Sequence, residues 1–134
     1  MALERIVRRI DILVASLRKI EKWLPDTKEE FELNEIMQAA IERSLQVSIE
    51  AILDICIQLV KLLELGTPNS PENVIQLLKP HLSSIKTIEE LKKLRNVLVH
   101  QYSDIEITLV YNYAKSFIND GTKLVGEFKD LLKK

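Results

Sequence analysis

The sequence predicts an all-α domain, an up-down bundle of four long helices plus one short one. Apolar side chains recur at three- and four-residue spacings through most of the 134 residues, the period of a helix with one buried face. The composition is rich in the helix formers Leu, Ile, Glu and Lys, with only 3 Gly and 4 Pro to interrupt them. Capping residues also stand where helices should start, at Thr27, Ser70 and Thr87. No change of composition divides the chain, so residues 1–134 read as a single domain, long enough to bury a core without staples.

The first helix covers residues 3 to 24, where Leu3, Ile6, Val7, Ile10, Leu13, Val14, Leu17, Ile20 and Leu24 make one stripe and Arg and Lys occupy the other side. Pro25 and Asp26 end it. Thr27 with Glu30 forms a capping box that opens a second helix, Lys28 to Leu65, with Gly66 as its C-cap and a bend near Asn34. Its later half, SIEAILDICIQLVKLLEL, is apolar on nearly all sides, which predicts the central helix of the bundle. After the loop GTPNSP, Ser70 caps a short helix with Pro71 at its first position, and Pro80 closes it. Thr87 and Glu90 repeat the capping box and open the helix carrying LRNVLVHQY. Ser103 and Glu106 mark another start. The last helix then runs through Ile105, Leu109, Tyr113, Phe117, Leu124, Phe128 and Leu131, with Gly121 as a point of interruption.

Charge and cysteine usage restrict the function. A net charge of −1 excludes bulk attraction to nucleic acid or an acidic membrane, so a polyanion would need a local patch. Cys56 is the only cysteine; no intrachain disulfide is possible, which fits a reducing compartment. The start MALERIVRRIDILV carries charge from its fourth position, unlike a signal peptide, and no apolar run approaches the ~20 residues of a membrane span. The expectation is a cytoplasmic protein with no membrane contact.

The stretch LRNVLVHQY, residues 94 to 102, has the look of chemistry. On a helical wheel Leu91, Leu94, Leu98, Tyr102 and Ile105 form one stripe toward the core. Arg95 lies at its edge, with Tyr102 along the axis from it. Asn96 and His100 are neighbours at i, i+4 and point away from the core, flanked by Val97 and Val99. Lys and Glu would suit a solvated face better than two valines, so this face is expected to be covered by another chain, most simply in a two-fold dimer. Histidine exchanges a proton near neutral pH, and arginine offers a permanent charge and a planar fork for phosphate oxygens. Asn adds a neutral donor. The set suits phosphoryl chemistry without a metal, with one histidine as both base and acid or two converging across a dimer. No Gly-rich phosphate loop and no zinc-ligand spacing is legible. Taken alone, the pattern also fits an Arg and a His in surface salt bridges.

RNVLVHQY resembles the Arg-x4-His-x-Tyr motif of the HEPN superfamily and, within it, of the HepT-like toxins. The similarity covers most of the chain, through SIEAILDICIQLVK, GTPNSPENVIQLL and SDIEITLVYNY. It departs at ELKKLRN, where relatives commonly have a Gly and aromatic residues, and at NVIQLL, where a Phe is frequent; neither touches the polar groups of the motif. The resemblance implies a HEPN-like bundle and a type VII-like toxin. That toxin would be a metal-independent ribonuclease without cofactor, working on RNA as a homodimer whose two motifs share a cleft. By position it implies that Arg95 and His100 are the catalytic pair and Asn96 the polar residue following the Arg. Tyr102 would be the tyrosine that a cognate MntA-type nucleotidyltransferase antitoxin modifies with AMP. On that reading His100 takes a proton from an RNA 2′-hydroxyl and Arg95 stabilises the charge on phosphorus, leaving a 2′,3′-cyclic phosphate. AMP on Tyr102 would block RNA by bulk and repulsion.

Other residues divide between functional and plain readings. Asp54, inside the most apolar run, needs a partner. It either receives the Arg95 guanidinium and orients it, or makes a structural pair with a lysine or lies exposed at a bend. Lys92 and Lys93 adjoin the motif and could guide an RNA backbone, or be ordinary solvated lysines. Arg5, Arg8 and Arg9 make a basic face, His81 and Cys56 read as structural, and Trp23 as packing. Two further functions compete with the ribonuclease: a catalytically silent HEPN-type dimer that binds nucleotide and engages a nucleotidyltransferase, and a plain helical assembly protein.

Overall fold

The first apolar stripe folds as its spacing predicts. In the computed structural model, which describes residues 1–99 and 107–133, α1 (Ala2–Trp23) buries Ile6, Ile10, Leu13, Leu17 and Ile20. The expected bend near Asn34 is a full break. α2 (Lys28–Glu32) starts with Thr27 Oγ1 accepting the Glu30 N–H at 3.2 Å, and α3 (Glu35–Leu62) starts with Asn34 Oδ1 accepting the Met37 N–H at 3.0 Å. Two caps seven residues apart leave no room for a continuous helix. Gln38 ties the joint together by donating to the Phe31 and Glu32 carbonyls at the end of α2, at 2.7 and 3.1 Å.

α3 is the central helix. It buries Ile41, Leu45, Ile49, Ile52, Ile55 and Leu59, all without solvent contact, and α1, α4 and α5 pack against it, α1 most extensively. Its end departs from expectation. Gly66 is not the cap: Leu65 N–H bonds the Val60 carbonyl at 3.0 Å, with Glu64 in the left-handed region at φ 54. That is the bond pattern of a Schellman cap, with a glutamate where glycine is usual. The short helix α4 (Pro71–Leu78) is capped by Ser70 as predicted.

α5 (Ile85–Val99) opens two residues before Thr87, so the capping box placed there is overturned. A carboxylate from far along the chain does the capping instead. Glu127 accepts from the Ser83 N–H at 2.8 Å, the Ser84 N–H at 3.2 Å and both serine hydroxyls. α6 (Ile107–Leu132) runs through Gly121 without interruption. A Cβ there would lie 2.6 Å from Leu17 Cδ2, so the glycine marks the close approach of α1 and α6. The second start at Ser103, and Ile105, lie outside the described residues.

These contacts fix the direction of the bundle. Leu17 meets Gly121, and the Tyr111 hydroxyl donates to the Pro25 carbonyl at 2.9 Å, so α1 and α6 are antiparallel. Glu127 against Ser83 and Ser84 makes α5 and α6 antiparallel as well. The start of α1 and the start of α5 therefore lie toward one end; the end of α5, α2 and the start of α6 lie toward the other. The architecture is the predicted four long helices, with two short ones rather than one. No strand occurs among the described residues, and no helix among them is long and apolar enough to cross a membrane.

Candidate functional site

Among the described residues, the motif helix presents the faces that the wheel assigned to it. Ile88, Leu91, Leu94 and Leu98 are buried toward α3, at relative exposures of 0%, 3%, 2% and 3%. Arg95 is half-buried at the edge of that stripe, while Asn96 and Val97 are exposed. The guanidinium stem thus packs along the apolar edge while its charged head can reach outward. Arg95 has no ion-pair partner among the described residues. His100 and Tyr102 lie outside the described residues, so of the polar groups of the motif the structure describes Arg95 and Asn96.

Asp54 is not the partner of Arg95. Its Oδ2 accepts from Arg5 Nε at 2.8 Å and from Arg9 Nε at 2.9 Å, and Arg95 is not among its partners. Burial alone would raise this carboxyl, but the hydrogen bonds and charges of the two arginines outweigh it and hold the group below its ordinary value. The direction of the helices explains the choice. Asp54 faces the start of α1, whereas Arg95 is ten residues past Ile85 at the start of α5, about 15 Å toward the opposite end. The expectation that a buried acid needs a cation was right about the need and wrong about the donor.

Lys92 is likewise committed. Its ammonium pairs with Glu72 of α4, holding the Glu72 carboxyl below its ordinary value by that hydrogen bond, and its side chain is only 19% exposed. It ties α4 to α5. Lys93 is exposed and lines an open groove of about 600 Å³ with Lys79 and Lys86, but Glu89 and Glu90 line the same groove and offset their charge. Cys56 is a core residue, its thiol pushed up to about 12 by burial. His81 is exposed, Tyr111 is buried against Phe31 with ring centroids 5.5 Å apart, and Trp23 is 38% exposed rather than packed. Among the described residues no group of His, Cys, Asp and Glu could hold a metal ion.

Sequence reasoning missed Glu127, which anchors the start of the helix that carries Arg95. Nothing local reveals it, because the pair is separated by more than forty residues. Burial raises this carboxyl, and the hydrogen bonds from Ser84 and Ser83 overcome that and leave it below its ordinary value.

The description Ribonuclease HepT-like matches residues 13–127, a span that contains the whole motif. The chain belongs to the HepT-like family. Solved structures agree in fold. This HepT-like chain superposes on a chain of a toxin–antitoxin complex crystallised with AMP-PNP at a TM-score of 0.84, with 20% identity over 95% of this chain and 98% of that one. It superposes equally, at 0.84, on a chain of the tri-AMPylated Shewanella oneidensis HEPN toxin in complex with MNT antitoxin, with 21% identity over 94% and 97% of the two chains. At such identities the likeness speaks for the HEPN fold. A search of curated proteins gave no match.

Proposed function

We propose that this HepT-like chain is the toxin of a toxin–antitoxin pair, an endoribonuclease that needs no metal and is silenced by AMP added to Tyr102. The observation that carries the reading is the family match across residues 13–127, which takes in the arginine, histidine and tyrosine of the motif. The faces of α5 support it: Arg95 is half-buried at the edge of the core stripe, next to the exposed Asn96 and Val97. In the reaction His100 removes the proton of an RNA 2′-hydroxyl, whose oxygen attacks the adjacent phosphorus. The bond to the 5′-oxygen breaks, and that oxygen takes up a proton from an imidazolium, either the same His100 or its copy in a second subunit. Arg95 stabilises the charge that grows on the phosphoryl oxygens, with Asn96 as a neutral donor beside it. Two copies pair through the Asn96–Val97 face of α5 to complete the cleft. A nucleotidyltransferase of the MntA kind, the partner that the solved complexes contain, transfers AMP from ATP to the Tyr102 oxygen with loss of pyrophosphate, placing bulk and negative charge beside Arg95.

Short RNAs incubated with the protein in excess chelator test this. Wild type is expected to cut them to fragments ending in cyclic phosphate, and Arg95→Ala and His100→Ala to lose on the order of a hundredfold or more in rate. Incubation with a cognate nucleotidyltransferase and ATP should raise the mass by AMP units, and Tyr102→Phe should abolish the increase. RNA binding without scission, equal in wild type and His100→Ala, would overturn the enzyme and leave a nucleotide- and partner-binding module.

A further inference from the structure

On a chain whose net charge is −1 a polyanion needs a local basic patch, and α1 carries one. By the turn of the helix, Arg5, Arg8, Arg9, Ile12, Lys19 and Trp23 fall within about 100° of arc. All are exposed except the half-buried Arg9. The acids of α1, Glu4, Asp11 and Glu21, lie outside that arc, and none of them has an ion pair among the described residues.

The two ends of this stripe differ in kind. Toward the start of α1, Arg5, Arg8, Arg9 and Ile12 line a groove of about 250 Å³. Asp54 accepts from Arg5 and Arg9 through their Nε atoms, which fixes both guanidinium planes and leaves their terminal amino groups uncommitted among the described residues. Arg8 and Lys19 have no ion pair among those residues either. One carboxylate among three guanidinium groups leaves the groove positive. On the Asp54 side of α3 the exposed Glu50 and Lys61, one turn before it and two turns after, offset each other. Oriented planar donors with free ends suit phosphate oxygens. Toward the end of α1, Trp23 stands five turns on from Arg5, about 27 Å away, at the end of the bundle that also holds the end of α5.

We propose that a single strand of RNA lies along this stripe, its phosphates on the three arginines and Lys19 and one base stacked on Trp23. Cationic side chains supply a grip that is indifferent to sequence, and an indole face receives any base; together they are the means by which single strands are held. The proposal rests on the ribonuclease reading for the identity of the strand and gives that substrate a foothold besides Arg95. Beyond Trp23 the exposed Asp26, Glu29 and Glu30 repel phosphate, so the track ends there. A free nucleotide is too short to reach from the groove to Trp23. A lipid surface fits less well: the exposed Leu3 and Val7 fall about 160° round α1 from Arg5, and only Ile12 lines the groove with the arginines.

Trp23 is the only tryptophan, so its fluorescence reports the contact directly. Full-length His100→Ala, which the ribonuclease reading leaves unable to cut, is titrated with single-stranded RNA of about 12 nucleotides. The RNA should quench Trp23, and ATP at equal phosphate concentration should not. Arg8→Glu with Lys19→Glu should weaken RNA binding on the order of tenfold or more, and should flatten the slope of log affinity against log salt by about 1. In the cleaving protein the same double variant should raise KM for RNA and leave kcat unchanged. Trp23→Phe should bind RNA more tightly than Trp23→Ala, because a phenyl ring still stacks. RNA affinity indifferent to the double reversal, fluorescence unmoved at saturating RNA, or equal quenching by ATP or by phosphatidylserine vesicles would overturn the proposal. RNA held through these groups but never cut by the wild type would remove the ribonuclease and leave the site standing. Cutting with a KM indifferent to the reversal would do the opposite.

Discussion

Asp54 shows what a single residue reveals before any fold is known. A carboxylate within a run as apolar as AILDICIQL must be compensated, because an unpaired buried charge costs several kcal/mol. The need was legible, but the partner was not, since Arg5, Arg9 and Arg95 are equivalent in sequence and only the antiparallel order of the helices separates them. The carboxyl is held low by Arg5 and Arg9, which gives a definite pH dependence. Its folded value is below the ordinary 3.8, so its contribution is complete above that value and is lost as the pH falls through the folded value. Asp54→Asn should therefore lower stability at neutral pH by about 1 kcal/mol, a figure kept small because both arginines are more than a third exposed. Its deficit should shrink as the pH drops below 4, which urea midpoints across an acid series would reveal; a constant deficit would mean that the charge is not what matters there. Cys56, by contrast, was legible outright, because a small sulfur side chain within that apolar run needs no partner.

At the scale of elements, starts were read better than ends, and the reason is locality. Thr27 and Ser70 cap through bonds that reach three residues forward, so sequence neighbours contain all the information, whereas the start capped by Asn34 was read only as a bend. The start of α5 instead depends on Glu127, and no window around Thr87 could show it. The end of α3 failed for another reason. Gly66 is the natural cap by residue type, yet the helix ends earlier and forces Glu64 into the left-handed region. For a residue with a Cβ that conformation costs about 1–2 kcal/mol. Glu64→Gly should remove most of it, raising stability by about 1 kcal/mol after the entropy that glycine adds to the unfolded chain. Denaturant unfolding would measure the gain, and a loss on substitution would show that the glutamate side chain compensates the strain through contacts of its own. Of the candidate site, the face assignments of Arg95, Asn96 and Val97 were legible because they follow from helical period alone, while the ties of Lys92 and Asp54 were not, because both bridge separate helices.

The bundle as a whole was legible in its class and in its central helix, since both follow from the amount and periodicity of apolar residues. The distances between helices were not. Gly121 read as a point of interruption and is instead a place where α1 and α6 approach closely, a Cβ there meeting Leu17 Cδ2 at 2.6 Å and the Phe117 ring at 3.2 Å. Two effects oppose each other on adding a methyl group. Alanine gains about 1 kcal/mol of helix propensity over glycine, while overpacking costs about 1–3 kcal/mol. Which prevails depends on whether the neighbours can move. Leu17 also lines a groove of about 210 Å³ between α1 and α6, so its terminal methyl has somewhere to turn. Phe117, at 2% exposure, has less freedom. Gly121→Ala should then fall within about 1 kcal/mol of the wild type. Gly121→Val has a second methyl with no such outlet and little propensity to gain, and should lose about 2–3 kcal/mol. Combining it with Leu17→Ala should return part of that loss, because the two side chains compete for one space. Additive destabilisation in the double variant would mean that the close approach is held by something other than this contact, and that α1 and α6 would keep their spacing without the glycine.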